Sequence, residues 1–194
     1  MKSGLTIGFA LTGSFCTFHK AIPQIQILKD AGAEVLPIMS ETSAKTDTRF
    51  GLASDHIERI EGITGHKVIS SISDAEPIGP KKLLDLLIVA PCTGNTISKL
   101  ANGIADSTVS LAAKSHLRNK RPLVIAVSSN DGLGANAKNI GVLLSRANVY
   151  MVPFGQDDCV EKENSLVADF DRILPTVEAA LDGKQLQPVL VCKA

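Results

Sequence analysis

Five short apolar runs punctuate the chain: Leu5–Leu11, Val35–Met39, Leu86–Ala90, Leu123–Val127 and Val149–Pro153. Runs this short and this rich in Val, Ile and Leu, bounded by polar turns, read as strands buried on both faces. Between them the apolar positions fall three and four apart. Phe18, Ile22, Ile25 and Leu28 mark one face of a helix that stops at Ala31-Gly32. Ile97, Leu100 and Ile104 mark a second helix, broken near Asn102-Gly103, and Val109, Ala112, Ala113 and His116 a third. Leu166, Phe170, Ile173, Val177 and Leu181 predict one long final helix, capped by Asn164 or Ser165 and bent at Pro175. Strand–helix alternation needs crossover connections. It therefore predicts one α/β domain over residues 1–194, a single doubly wound parallel sheet with helices on both faces.

In such a sheet ligands gather at the carboxyl ends of the strands. That rule singles out Thr12–Thr17, Ser40–Arg49, Pro91–Thr96 and Ser128–Asn136. Two long polar loops, Ser40–Gly51 and Ser70–Lys82, also stand out.

Composition narrows the classes. The 194 residues, 44% hydrophobic, suit one sizeable core. Lys+Arg 20 balance Asp+Glu 20 with no basic cluster, which argues against a nucleic-acid partner. No apolar run approaches the ~20 residues of a membrane helix, since Asp85 interrupts the longest candidate and Pro91 ends it. Lys2, the run Leu5–Leu11 and Cys16 faintly resemble a lipoprotein leader, but Phe15 stands where cleavage needs a small residue, so the run reads as a first strand. The four cysteines, Cys16, Cys92, Cys159 and Cys192, form no CxxC pair. We expect reduced thiols in a cytoplasmic protein, with neither a metal site nor a disulfide framework.

Three segments have phosphate-loop chemistry. Gly8 to Ser14 spaces as GxxxxGS, but Ser14 stands where a nucleoside-triphosphatase loop needs lysine, so that activity is rejected. Gly132-Leu133-Gly134-Ala135-Asn136-Ala137 fits GxGxxA, yet it lies several residues past its strand and lacks an acidic residue at the next strand's tip. A glycine-rich helix entry explains it better than a NAD(P) site. In Ala90-Pro91-Cys92-Thr93-Gly94-Asn95-Thr96, hydroxyl, amide and free N–H groups at a helix start suit a phosphate or a polar ring edge. Ordinary N-capping by Thr93 or Asn95 accounts for the same residues.

The longer run from Pro91 through Thr96 to Lys99-Leu100-Ala101-Asn102-Gly103-Ile104-Ala105-Asp106 resembles the hallmark of the FMN-binding cysteine-decarboxylase flavoproteins, a P-A-S-A-N-T sequence leading into I-A-K-L-A-N-G-I-A-D. Thr12-Gly13-Ser14 resembles that family's first loop, Met39–Ala44 its second, and Ala126-Val127-Ser128-Ser129-Asn130 its A-P-A-M-N segment. The resemblance implies a flavodoxin- or Rossmann-like flavoprotein fold, bound FMN and a homo-oligomer. The family's catalytic His has no counterpart in Glu76–Pro80, its Met is Ser129, and its Cys-containing substrate clamp is not recognisable in Phe154–Cys159. A scaffold kept with its chemistry changed fits these departures, and an FMN-dependent decarboxylase fits them least.

Thr48–Gly51, Ile63–Ile69, Glu76–Lys81, Val152–Asp157 and Gly183–Val191 together resemble the B chains of bacterial dipicolinate synthases, over nearly the whole length. That resemblance implies a protein of the mother-cell cytoplasm in a sporulating bacterium. It would take part in oxidising a dihydrodipicolinate-type precursor to pyridine-2,6-dicarboxylate. A separate A chain, similar to nicotinamide-dependent dehydrogenases, would be the partner and carry NAD(P). The alternative is a non-catalytic subunit that organises the A chain. By resemblance, Gly13, Ser14, Ser40, Cys92, Thr93, Gly94, Asn95 and Thr96 are expected cofactor-binding residues, with the phosphate at Gly13, Ser14, Ser40 and the Thr93–Thr96 helix start. Asn95 is expected to bond near the flavin ring or the substrate, with Ser128, Ser129 and Asn130 at the ring's other edge. For the dicarboxylate substrate, Arg49 is the expected cation beside Asn95, with Lys81 and Lys82 as second choices. No catalytic acid or base is assigned.

Overall fold

The computed structural model of the chain describes residues 4–191; Lys2 and Cys192, weighed above, lie outside the described residues, as do both ends of the 1–194 domain. All five apolar runs are strands: β1 (Thr6–Leu11), β2 (Glu34–Met39), β3 (Leu86–Cys92), β4 (Leu123–Ser129) and β5 (Val149–Met151). They pair in parallel in the order β2-β1-β3-β4-β5. Every residue of β3 is buried, the signature of a central strand covered on both faces. The crossovers are α1 (Phe18–Asp30), then α2 (Glu41–Lys45), α3 (Ala53–Thr64) and α4 (Ile72–Ala75), then α5 (Gly94–Ala101) and α6 (Thr108–Arg118), and α7 (Ala137–Leu144) before β5. Among the described residues no helix is long and apolar enough to cross a membrane.

The helices start and stop where the sequence provides the means. Ser40 Oγ accepts the Ser43 N–H at 3.2 Å and caps α2, so the first polar loop holds a short helix. The expected break after Leu100 falls at Gly103, whose φ of +71° ends α5 in the left-handed region. Ser107 and Ser110 then exchange side-chain and backbone hydrogen bonds as a capping box for α6. His116, fully buried on α6, donates Nε2–H to the Pro122 carbonyl at 2.9 Å, and burial pushes its pKa down to about 4.

The final helix is shorter than the apolar spacing predicts. Phe154–Asp158 (β6) and Lys162–Ala168 (β7) form an antiparallel hairpin, and β7 pairs antiparallel with the end of β4 through Ser128–Val167 and Ser129–Leu166. The sheet is thus seven-stranded and mostly parallel rather than wholly so. Leu166, Val167 and Ala168 are buried in succession, which a strand inside the sheet allows and a one-sided helix does not. Asn164 and Ser165 are strand residues, not caps. Only α8 (Ile173–Leu181) is α-helical, after a single 3₁₀ turn at Phe170–Arg172, and Pro175 falls in its first turn, where a missing N–H costs no helical bond. Beyond it the chain returns along β6, with Phe154 N–H to the Val189 carbonyl and Val191 N–H to the Phe154 carbonyl, both 3.0 Å.

Candidate functional site

The parallel order reverses direction at β1, where the chain leaves toward β2 and returns on the other side as β3. Crossovers departing in opposite directions leave a crevice beyond the carboxyl ends of those two strands. The loops at that crevice, Thr12–Thr17 and Pro91–Thr96, are tied together across 81 residues. Thr12 Oγ1 donates to the Pro91 carbonyl at 2.7 Å and accepts the Thr93 N–H at 3.0 Å. Thr93 Oγ1 in turn accepts the Thr96 N–H at 3.4 Å and caps α5. The N–H groups of Gly94 and Asn95 precede any helical acceptor and stay available to an anion, on the positive end of the helix.

Two clefts open from this junction, and Gly13 and Thr93 line both. One, of about 520 Å³, is walled by Ser40, Asn95, Thr96, Lys99 and Asp106. Its acids already have partners: Asp106 pairs with Lys99 at 2.7 Å, and Glu41 accepts from Thr108 N–H and Oγ1 at 2.9 and 2.7 Å. Burial alone would raise the Glu41 carboxyl, but those bonds and Lys45 leave it below the usual carboxylate range. The other cleft, of about 490 Å³, has Ser14, Ser128, Ser129 and Asn130 on its floor and Phe15 and Phe50 among its walls. Ser14 and Ser128 hydroxyls meet there at 2.7 Å.

The two glycines of the junction differ. A Cβ on Gly94 would lie 2.6 Å from Asn136 Nδ2 and 2.7 Å from Ser129 Oγ, so those side chains would have to shift to admit it. A Cβ on Gly13 would meet only Phe15 and Thr42 carbons at 3.7 and 3.8 Å, ordinary contact distances. The fold does not require glycine at Gly13, and its bare backbone leaves room for a ligand to approach closely. The residues present therefore fit a phosphorylated flavin: a bare backbone between two hydroxyl-lined clefts at a helix start.

Of the residues expected from sequence, Gly13, Ser14, Ser40, Thr93, Gly94, Asn95, Thr96, Ser128, Ser129 and Asn130 all line one or both clefts. Cys92 does not. Its side chain is fully buried in the core, and burial pushes its thiol far above the usual range. Arg49 stands at the exposed tip of the Thr48–Gly51 turn with its guanidinium 4.8 Å from the Phe50 ring centroid, so Phe50 reaches the cleft and Arg49 stacks behind it. Lys81 and Lys82 precede β3 at the amino end of the sheet, away from both clefts. Gly132 and Gly134 are packing glycines of the entry to α7: a Cβ on Gly132 would strike Leu166 at 2.7 Å, and one on Gly134 would strike Asp131. His19, Lys20 and Lys162 line the second cleft and were not expected. His19 and Lys20 follow the first loop directly. Lys162 lies just ahead of the helix expected from Asn164 or Ser165 onward, and only the β6–β7 hairpin brings it to the cleft.

The pattern described as Flavoprotein matches residues 1–181. The chain belongs to the flavoprotein family. This flavoprotein is 49% identical over 188 residues to the B subunit of dipicolinate synthase from Bacillus subtilis strain 168, covering 97% of this chain and 94% of that one. The crystal structure of the dipicolinate synthase B subunit from Bacillus halodurans superimposes with a TM-score of 0.91 at 47% identity, over 99% and 98% of the two chains. Sequence and fold together group this flavoprotein with those B subunits. An FMN-dependent cysteine decarboxylase, 21% identical over 93% of this chain and 97% of its own, shares the fold at a TM-score of 0.68.

Proposed function

We propose that this flavoprotein holds FMN at the junction of its two clefts. Beside an A subunit that carries the nicotinamide cofactor, it serves in oxidising a dihydrodipicolinate-type precursor to pyridine-2,6-dicarboxylate. The observation that carries the proposal is the bare Gly13 backbone at the switch point, in a chain that is 49% identical to a dipicolinate synthase B subunit. In this reading Gly13, Ser40 and the α5 start receive the phosphate, where N–H donors and the helix end favour an anion. Asn95 offers an uncharged amide beside them, and Ser128, Ser129 and Asn130 line the ring edge, joined there by Ser14, which bonds to Ser128 rather than facing the phosphate cleft. Bound FMN supplies a hydride acceptor for the aromatisation. The chain's own residues position the ring and substrate and screen them from water. The protein would work in the mother-cell cytoplasm of a sporulating bacterium, as a homo-oligomer.

Flavin content tests the proposal. The purified chain is expected to absorb in the visible or to take up FMN one-to-one, with Asn95→Ala weakening uptake, and to turn over substrate with the A subunit. A colourless protein that ignores FMN even beside the A subunit overturns the proposal and leaves an organising subunit. Release of carbon dioxide from a cysteine peptide would instead make it a decarboxylase.

A further inference from the structure

The proposed substrate is a planar ring bearing two carboxylates, and a dianion of that kind needs cations at its seat. The charged residues lining the second cleft are His19, Lys20, Asp157 and Lys162. Asp157 faces Lys162, 3.1 Å from Nζ, and this contact with Asp157 raises the Lys162 pKa. We infer that Lys20 and Lys162, one on α1 and one on the β6–β7 hairpin, are the two cations that seat the substrate carboxylates; the inference rests on the function proposed above.

The two lysines sit on different elements. Lys20 belongs to the first turn of α1, immediately after the loop that carries Gly13 and Ser14. Lys162 opens β7 on the hairpin that borders the cleft. The hairpin holds that position firmly. Asp158 accepts the N–H groups of Val160 and Glu161, both at 3.0 Å, which closes the tip, and Gln156 Nε2 donates to the Glu163 carbonyl at 2.9 Å. Asp157 holds Lys162 Nζ until an anion competes for it. Half-exposed, that ion pair is weak enough to be exchanged for a substrate carboxylate. Phe15 and Phe50 supply apolar walls for the ring, with Arg49 stacked on Phe50 from outside. The Ser14 and Ser128 hydroxyls complete the floor. Lysines suit two separate carboxylates because each is a mobile point charge, where one arginine fork would take a single carboxylate bidentately.

The test is calorimetric titration of the chain, with and without FMN, using pyridine-2,6-dicarboxylate and pyridine-2-carboxylate as probes. The wild-type chain is expected to prefer the diacid. Lys20→Gln and Lys162→Gln are each expected to weaken diacid binding by about tenfold or more, to erase the preference over the monoacid, and to leave the FMN titration unchanged. Lys20→Arg and Lys162→Arg retain the charge and are expected to retain most of the affinity. Diacid binding by both glutamine variants at wild-type strength overturns the inference and reduces Lys162 to a surface ion pair. A wild-type chain that takes FMN but no diacid, even with the A subunit present, also overturns it. A chain that binds the diacid but never FMN overturns the flavin reading alone.

Discussion

A methyl group on Gly94 would press on both Asn136 and Ser129, two polar side chains from the α7 entry and the end of β4 that converge on the α5 start. Gly94→Ala is therefore expected to cost about 1–3 kcal/mol, read by urea denaturation. Gly13→Ala meets only ordinary contacts, so its stability is expected to change by no more than about 0.5–1 kcal/mol while flavin uptake falls. The two glycines look alike in sequence, and only their neighbours separate them. His116 makes a second residue-scale prediction. The unfolded chain takes up a proton there near pH 6.5, the folded chain only near pH 4. Between those values the unfolded state binds more protons, so stability declines as the pH falls through that window, by up to about 3 kcal/mol. Above pH 6.5 the effect vanishes. His116→Gln, keeping an amide donor for the Pro122 carbonyl, is expected to flatten the thermal-melting profile across this range.

At the scale of elements, the five parallel strands and α1, α5 and α6 were legible because each carries one unambiguous period or a continuous apolar run. The β6–β7 hairpin was not. Leu166, Phe170, Ile173, Val177 and Leu181 fall on helical spacing, but the first belongs to a strand, the second to a single 3₁₀ turn and only the rest to α8. Nothing local distinguishes them. What decides is the partner, the free edge of β4 at Ser128 and Ser129, which only the assembled sheet presents. Lys162, ahead of the predicted helix, carried no signal until the hairpin placed it at the cleft, while Arg49 was favoured because a loop at a strand's carboxyl end was legible and the direction of its side chain was not. The C-terminal return along β6 has its own test. A Cβ on Gly155 would strike the Val191 carbonyl. Gly155→Val is expected to lift the tail off the edge and speed proteolytic cleavage after Pro188, with little change in melting of the parallel core.

For the molecule as a whole, the doubly wound architecture fixes where chemistry is possible before any side chain is chosen, since β1 and β3 part their crossovers at one place only. That much followed from strand–helix alternation. The number of clefts did not, because it depends on how the Thr12–Pro91–Thr93 tie draws two loops together across the junction. This tie has a thermodynamic consequence. Gly13 and Thr93 form a common wall, so in the proposed arrangement a flavin phosphate on one side and a dicarboxylate on the other would settle the same few backbone atoms. Occupancy of either side should then be linked to occupancy of the other, and linkage is reciprocal: whatever factor the diacid adds to FMN affinity, FMN must add to diacid affinity. Titrating each in the presence and absence of the other is expected to return one coupling factor, different from unity in the wild-type chain and reduced toward unity in Thr12→Val, which cuts the tie. Retention of the flavin and retention of the acid would then be two readings of one coupling free energy.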